Sequence, residues 1–480
     1  MRFESTSRWA PPIAALATIA VGIVSWPYTV DDAYIVGRYA TRLASGHGYT
    51  MNEGPATDGI TGPLWIVPGT LARLAGLDPI AASKIVGLAC AAIAVAILIA
   101  QVRHRAVGSR AVWTATAFLA LSATVGIWAC AGLETGAAML AATIGLVAAV
   151  RRPDPHGIAL GLAGAAIAWL RPEAVPAMLV LAAMAMRRNR RAGAIALVLA
   201  LTGLAGVVAF RLAMFGNALP LSVAAKPSDL ANGAGYLGRG AVLALGIVGI
   251  APAFVAVRQS FSLRIPAAFV ITLLACVLLA GGDWMPGFRL LAPAIPAYAW
   301  LVGVGVSDLA RRPAIGGRGA LAIAALSCAI PAIDLVIEIP AARAAGETRE
   351  TLGRALAGEL REHAHRVALV DIGYLGYASE LPIVDLAGVT DPSIGQLEGR
   401  HGEKPVDLGL LVQRDVDAIV LHSITEPRVE DETLRSLAGF AVERELARDE
   451  RMVRMFRVAH VVHYAPGYWY VLLLRRPAAP

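Results

Sequence analysis

Long apolar segments alternate with short polar ones over the first two thirds of the chain. A helix needs about 20 mainly apolar residues to cross the hydrocarbon core of a bilayer. Eleven segments approach or reach that length, and they lie near residues 9–27, 79–101, 111–129, 133–150, 157–171, 174–187, 192–212, 237–257, 265–281, 289–308 and 319–338. The pattern therefore predicts about eleven membrane spans within a transmembrane domain at residues 1–339.

The polar stretch after the first span covers residues 28–78 and is predicted to hold helices that do not cross the membrane. Ala33–Leu43 is predicted to be helical. Gly62–Gly76 is apolar but short, and it is interrupted by Pro63 and Pro68. Because proline breaks a helix interior, we expect this second segment to be interfacial or re-entrant.

Residues 340–480 follow a different pattern, in which charged positions are frequent. Glu347–Arg366 has the periodicity of a helix, Val367–Asp371 and Asp417–Leu421 have the pattern of buried strands, and Val461–Arg475 that of a hairpin. About 140 residues suffice for a small domain. We predict an α/β domain here.

The composition agrees with a multi-span membrane protein. The chain is 57% hydrophobic and only 16% charged, whereas soluble domains carry about 25% charged residues. Its formal charge of +7 comes largely from short arginine groups between apolar runs, which indicates a topology signal and excludes nucleic acid as a partner. The four cysteines all lie in apolar runs, so the sequence indicates neither a disulfide framework nor a zinc site.

The arginine groups predict the orientation of the chain, because positive residues accumulate on the cytoplasmic side of short loops. They alternate along the chain as expected for a cytoplasmic N-terminus, an odd number of spans and an extracytoplasmic tail. The cytoplasmic groups are Arg2 and Arg8; Arg103, Arg105 and Arg110; Arg151 and Arg152; Arg187, Arg188, Arg190 and Arg191; Arg258 and Arg264; and Arg311, Arg312 and Arg318.

The polar motifs of the membrane part then all fall on the outer side. Ionisable residues at span ends usually face a cavity or a partner, since lipid does not solvate them. The candidate residues are Asp31, Asp32, Arg38, Glu53, Glu134, Arg171, Glu173, Lys226, Asp283 and Arg289. Carboxylates of this kind serve as general base, sugar-hydroxyl acceptor or metal ligand, and the cations can hold a phosphate. No nucleotide-binding motif is present, so we expect a phosphate-bearing lipid substrate.

Each motif also has a purely structural interpretation. Asp31 and Asp32 would then cap the helix that follows them. Arg171 and Glu173 would form an ion pair at a helical hairpin, Glu134 would be a buried hydrogen-bonding acid, Asp283 would cap the next span, and Lys226 would be an interfacial lysine.

The motifs resemble those of polytopic glycosyltransferases of the GT-C fold, which use polyprenyl-phosphate sugars. The likeness is greatest to the family of the mycobacterial terminal β-(1→2) arabinofuranosyltransferase. It rests on the motifs Asp31-Asp32-Ala33-Tyr34-Ile35 with Arg38, Asn52-Glu53-Gly54 with Thr61-Gly62-Pro63-Leu64-Trp65, Gly132-Leu133-Glu134-Thr135, Arg171-Pro172-Glu173, Phe215-Gly216-Asn217-Ala218-Leu219-Pro220 with Lys226, and Gly281-Gly282-Asp283-Trp284 with Arg289. The tail motif Asp385-Leu386-Ala387-Gly388-Val389-Thr390-Asp391-Pro392 looks similar too.

The resemblance implies a polytopic α-helical fold of the GT-C type with a C-terminal extracytoplasmic α/β domain. It also implies inverting transfer of a sugar from a polyprenyl phosphate to a hydroxyl of an envelope glycan or lipid. Asp31 or Asp32 would be the general base. Lys226, Arg171, Arg289 and Arg38 would stabilise the leaving phosphate, with Glu134, Glu173 and Asp283 orienting sugars or cations. The sequence leaves open which sugar is moved and whether a divalent metal bridges Asp31 to the phosphate.

Two other classes of function also fit a chain of this composition. A transporter or flippase of a lipid-linked saccharide would more often contain inverted repeats and charges at the membrane midplane, and the sequence has neither. An envelope scaffold without enzyme activity would bind glycan through residues 340–480. The tail would then be a glycan-binding module, with Tyr464, Tyr468, Trp469 and Tyr470 stacking on sugars.

Overall fold

The computed structural model describes residues 7–105, 108–151, 157–224, 229–428, 434 and 436–477. Its first part is entirely helical. The α-helices are α1 (Ala10–Val24), α2 (Asp31–Ala44), α3 (Ile66–Leu74), α4 (Pro79–His104), α5 (Ser109–Ala120), α6 (Ala123–Ala129), α7 (Thr135–Val150), α8 (Ile158–Leu170), α9 (Val175–Met186), α10 (Arg190–Phe215), α11 (Leu221–Ala224), α12 (Leu230–Leu243), α13 (Ile250–Val257), α14 (Phe261–Ala280), α15 (Ile295–Leu309) and α16 (Gly316–Thr348). Short 3-10 turns cover Ser7–Trp9, Pro63–Trp65, Pro172–Ala174, Ile247–Gly249 and Arg289–Ala294.

These helices confirm the predicted membrane architecture. Within the described ranges, six helical segments are long and apolar enough to cross a bilayer, and two bent pairs, α5 with α6 and α12 with α13, bring the number to as many as eight. The bends are 52° and 84°. Three shorter apolar helices, Thr135–Val150, Ile158–Leu170 and Pro172–Met186, complete the set. Every one of the eleven predicted segments coincides with one of these elements.

Local sequence signals explain where several of these helices begin and end. The side chain of Asp78 accepts a hydrogen bond from the N–H of Ile80, and Pro79 occupies the first turn of α4; both are common features of a helix start. Asn189 caps α10 in the same way. α10 ends at Phe215, and the next residue, Gly216, closes the last turn with a positive φ of 73°.

The loop after the first span contains the two expected short helices, α2 and α3. α2 begins at Asp31, two residues earlier than predicted, and Val30 is its N-cap with no capping side chain. Asp31 and Asp32 lie in the first turn, so neither carboxylate caps this helix. The interpretation of the acidic pair as a simple N-cap is therefore wrong.

The helix of the last predicted span extends past residue 340, where the predicted C-terminal domain begins. α16 continues through a π-turn at Arg349–Gly353 into α17 (Arg354–His363) without a break. One continuous helical segment, Gly316–His363, therefore connects the bundle to the C-terminal domain. The chain therefore enters that domain as a helix.

The C-terminal domain contains a five-stranded sheet flanked by short helices. Its strands are β1 (Val367–Leu369), β2 (Ile383–Asp385), β3 (Ala418–Ser423), β4 (Phe456–Ala465) and β5 (Tyr468–Arg475), and its helices are α18 (Tyr374–Ser379), α19 (Pro392–Gly395), α20 (Leu408–Gln413), α21 (Ala441–Arg448) and α22 (Glu450–Met455). The strand order is β2-β1-β3-β5-β4. β1 pairs in parallel with β2 and β3, whereas β5 pairs antiparallel with β3 and β4. The expected strands and hairpin are present, and β2 is an addition.

The C-terminal domain and the first loop share one hydrophobic core. Tyr34 and Tyr39 of α2 belong to the same buried cluster as Leu356 of α17 and Leu369 of β1. The ring of Tyr34 lies 4.9 Å from that of Tyr374, centroid to centroid. Burial of aromatic side chains on both sides makes this a packed interface.

Candidate functional site

Two buried arginines from different parts of the chain line a small cavity near the start of α7. Arg171 lies in the turn after α8, and Arg289 lies in the turn after α14. Their side chains are 9% and 12% exposed. The cavity is also lined by Thr135, Glu173, Ala174, Leu273, Leu290 and Pro293. The sequence predicted both arginines as phosphate ligands, and the structure brings them together.

Carboxylates hold the Arg171 guanidinium in place. Its Nε lies 2.7 Å from Oε1 of Glu134, and its Nη1 lies 3.1 Å from Oε1 of Glu173. Three predicted site residues from two separate motifs therefore form one ion-paired group. A guanidinium held at two of its nitrogens has little freedom left, so its remaining donors point in a fixed direction.

Arg289 is held by a second group of residues. Its Nε donates a hydrogen bond to Asp283, and its Nη2 lies 3.8 Å from Oδ2 of Asp32. The guanidinium carbon also lies 5.5 Å from the ring centroid of Trp128, a distance typical of a cation–π contact. Asp32 contributes the most accessible of these acids, with its side chain 32% exposed.

Two polar atoms around the cavity have no hydrogen-bond partner among the residues that the structure describes. They are Nη2 of Arg171 and Oγ1 of Thr135, and both are buried. An unsatisfied buried polar group costs about 1–3 kcal/mol, so such groups are rare in folded proteins. A ligand with oxygen acceptors, such as a phosphate, would satisfy the guanidinium.

Asp31 points away from this cavity and into the C-terminal domain. Its carboxylate accepts hydrogen bonds from the N–H groups of Gly373 and Tyr374, at 3.0 and 2.9 Å. Burial raises the pKa of Asp31 to about 6, and the charge of Asp371 adds to this, whereas Arg349 opposes it. The two adjacent acids therefore occupy different environments, and Asp32 alone faces the arginines.

Arg38 and Glu53 lie apart from the cavity. The guanidinium of Arg38 donates to backbone carbonyls, at 2.8 Å to Met51 and 2.7 Å to Leu381, with a further bond to Gly376. This arginine connects α2 to the C-terminal domain, and the structure does not bring it to the other cations. Glu53 is exposed in the loop between α2 and α3. Lys226 lies outside the described residues, so its place in the site stays a prediction.

Several buried charges near the first loop were not among the predicted site residues. Arg211 of α10 pairs with Asp58 at 2.8 Å, with both side chains 2% exposed. Lys84 of α4 donates to the carbonyl of Tyr28 and the hydroxyl of Thr29, both at 2.9 Å. Both residues lie inside predicted apolar spans, where an isolated cation is itself a signal of a buried partner.

The sequence did not mark Arg349 as a buried cation, because its neighbours in the chain are also charged. Its guanidinium lies over the ring of Tyr34, 5.7 Å from the centroid, and donates to the carbonyl of Thr29. Its Nε has no partner among the described residues. Its positive charge acts directly on Asp31.

A buried polar network continues from Asp31 into the sheet. Asp371, just after β1, accepts hydrogen bonds from the hydroxyls of Tyr468 and Tyr470. His422 of β3 stacks on Tyr468, with 5.3 Å between ring centroids, and pairs with Glu443 at 2.5 Å. Burial raises the pKa of Asp371. The tyrosines therefore have partners inside the domain.

The described residues contain no group of three or more His, Cys, Asp or Glu side chains placed to hold a metal ion. Mg²⁺ and related ions often take several ligands from water and from substrate phosphates. A divalent cation bound near Asp32 would have to be held in that way.

Comparisons with known proteins agree with a GT-C fold. The chain superposes on apo ArnT from Cupriavidus metallidurans with a TM-score of 0.57 and 12% identity, over 87% of this chain and 93% of that one. ArnT from the same organism bound to undecaprenyl phosphate gives 0.55 and 12%, over 81% and 89%. ArnT is a GT-C glycosyltransferase, so this likeness confirms the predicted fold class. At such low identity it concerns the fold alone.

The other comparisons give less support for the fold or cover less of the chain. The arabinofuranosyltransferase AftD from Mycobacteria matches with a TM-score of 0.49 and 15% identity, over 98% of this chain and 40% of that one. A score below 0.5 does not by itself support a common fold. A family model described as a domain of unknown function, DUF8728, matches residues 339–472. No curated protein matches the chain.

Proposed function

We propose that this chain is a membrane glycosyltransferase that moves a sugar from a polyprenyl phosphate to a hydroxyl of a cell-envelope glycan or lipid. The observation that carries the proposal is the cavity lined by Arg171 and Arg289, where Nη2 of Arg171 is buried without a partner among the described residues and the carboxylate of Asp32 lies beside Arg289. The ArnT structure with undecaprenyl phosphate supports a polyprenyl-phosphate donor.

In this mechanism Asp32 is the general base. Its carboxylate takes the proton of the acceptor hydroxyl while that oxygen attacks the anomeric carbon, and the bond from this carbon to the phosphate oxygen breaks. The polyprenyl phosphate leaves with one additional negative charge. Asp32 suits this role better than Asp31, because Asp31 already accepts two backbone hydrogen bonds.

Arg171 and Arg289 stabilise the charge that develops on the leaving phosphate. Preorganised cations act strongly in a site that excludes water, since they need no reorganisation during the reaction. Glu134 and Glu173 hold Arg171 in place, and Asp283 holds Arg289. These three acids therefore orient cations.

The charge balance of the site suggests that a further cation takes part. Four carboxylates surround the two guanidinium groups, so a donor phosphate meets an excess of negative charge. Lys226 is one candidate and a divalent cation is another. Each can be tested by measuring the KM for the donor, with Lys226→Gln in the first case and with EDTA followed by Mg²⁺ in the second.

The experiment that tests the proposal is transfer of radiolabelled sugar from polyprenyl phosphate by the purified chain in lipid. The motif resemblance makes arabinofuranose the first donor to test. We expect Asp32→Asn to lower kcat about 10²–10⁴-fold, which is the usual contribution of a general base. Asp415→Asn is the matched control, because the Asp415 side chain is 89% exposed and its ion-pair partner is Arg475, outside the cavity.

Full activity of Asp32→Asn would contradict the assignment of the base. Movement of labelled lipid across liposomes without glycosylated product would indicate a flippase, and binding of glycan by a wild-type protein without transfer activity would indicate a scaffold. We also propose that the reaction takes place on the outer face of a bacterial inner membrane, with the N-terminus in the cytoplasm.

A further inference from the structure

The crevice of the C-terminal sheet is filled by a side chain from the membrane part. β2 and β3 lie on opposite sides of β1, so the direction in which strands are added to the sheet reverses at β1. In open α/β sheets, ligands bind at the carboxyl ends of strands where the order reverses in this way. Here that place holds Asp31, whose carboxylate is bound by the N–H groups of Gly373 and Tyr374.

The approach of Asp31 is close enough to require glycine at position 373. A Cβ atom on Gly373 would lie 2.2 Å from both the carbonyl oxygen and Oδ2 of Asp31. The φ angle of Gly373 is −65°, a value that any residue adopts. The need for glycine therefore comes from contact with α2.

Three residues on one face of α2 contact the C-terminal domain. Asp31, Tyr34 and Arg38 are spaced three and four residues apart, which places them on the same side of a helix. Tyr34 packs against Tyr374, and Arg38 donates to the carbonyl of Leu381. These three side chains thus fix the rotation of α2 about its axis and its position along that axis.

The positive charge of Arg349 also holds the start of α2. Arg349 bonds to the carbonyl of Thr29, immediately before α2, and its positive charge acts on Asp31. Because Asp32 is the next residue of the same helical turn, any rotation of α2 at Asp31 also moves Asp32 relative to Arg289.

We infer that the C-terminal domain is a positioning module, in which Arg349 and Gly373 hold Asp31 and thereby aim Asp32 at the arginine cavity. This inference rests on the proposed function, because it assigns the domain a role in the transfer reaction. It gives Asp31 a positioning role and leaves proton transfer to Asp32. It also assigns the sheet crevice to a contact within the chain and not to a soluble ligand.

The test combines steady-state kinetics with hydrogen–deuterium exchange on the full chain in lipid. We expect Gly373→Ala and Arg349→Gln to lower kcat about 10–100-fold while the KM for the donor stays within about twofold, since a misplacement of about 1 Å costs this much. Residues 31–44 should exchange faster in both variants. Arg349→Lys, which keeps the positive charge, should recover part of the loss.

Two matched controls separate positioning from general damage. Gly358→Ala introduces a methyl group where no atom lies within 4 Å, and Arg361→Gln removes an exposed arginine from α17. Both should retain wild-type kcat and exchange. Wild-type kcat in Gly373→Ala and Arg349→Gln would overturn the inference, as would an equal loss in the controls. A wild-type protein without transfer activity would instead overturn the proposed function, whatever the exchange rates.

Discussion

At the residue scale, Asp31 and Asp32 have identical side chains but different roles, because they face different surfaces of the same helix. Successive residues of a helix point about 100° apart, so the two carboxylates cannot face the same surface. Asp31 is buried against the C-terminal domain, whereas Asp32 stays partly exposed beside Arg289. From sequence alone the two were equivalent candidates for the base, because only the partners of α2 distinguish them.

The buried Asp31 carboxylate predicts a specific dependence of stability on pH. Its pKa rises from 3.8 to about 6 in the folded protein, through burial and Asp371, against the opposing charge of Arg349. The folded state thus holds this proton more tightly than the unfolded state does, so the contribution of Asp31 to stability is largest below about pH 4. That contribution is lost as the pH rises through about 6.

Thermal unfolding of wild type and Asp31→Asn between pH 4 and 8 tests this prediction. The difference in Tm, wild type minus variant, should fall between pH 4 and about 6 and then stay constant. A difference that rises with pH over this range would mean that Asp31 is stabilised as a carboxylate in the folded state.

At the element scale, most helices were predictable because their length and apolar character are properties of the sequence itself. The strands were less predictable. β1 and β2 both have only three residues, too few to establish a period of two, and β1 was recognised only because Val370 extends its apolar run. The role of Arg349 was not predictable, because Thr29 and Tyr34, which it contacts, lie more than 300 positions earlier in the chain. Long-range partners of this kind follow from the packing of the domains.

Close helix packing also links the bundle to the arginine cavity. α7 begins at Thr135, directly after Glu134, and it crosses α4 where Gly136 meets Gly87. A Cβ atom on Gly136 would lie 2.1 Å from the carbonyl oxygen of Gly87. Small residues at such crossings allow the backbones of membrane helices to approach closely.

We therefore expect Gly136→Ala to separate α7 from α4 and to displace Glu134 from Arg171. Overpacking of this kind costs about 1–3 kcal/mol, so both Tm and transfer activity should fall. Gly235→Ala is the matched control, because Gly235 is an exposed residue of α12 with no atom within 4 Å of an added methyl group. Wild-type Tm and activity in Gly136→Ala would show that the crossing adapts without cost.

At the scale of the whole molecule, a second group of arginines lies at the end of the bundle opposite the arginine cavity. In this group, Arg151 donates a hydrogen bond to the side chain of Gln101 at 2.6 Å. Arg188 donates to the carbonyls of Ala149 and Val150 at 3.0 and 2.9 Å. The helix Pro172–Met186 runs from the cavity toward this group, and its 15 residues span about 22 Å.

This separation predicts the sidedness of the protein, because short loops rich in arginine stay in the cytoplasm. Trp284, beside Asp283, is 67% exposed, and Glu398 of the C-terminal domain and Arg187 are exposed too. In a variant without the native cysteines, a membrane-impermeant maleimide should label Trp284→Cys and Glu398→Cys in intact cells. Arg187→Cys should be labelled only after the cells are permeabilised. The first turn of α2 contacts the C-terminal domain through Asp31 and Arg289 through Asp32. The C-terminal domain and the arginine cavity must therefore lie on the same side of the membrane. Labelling of positions 284 and 398 from opposite sides would contradict this arrangement.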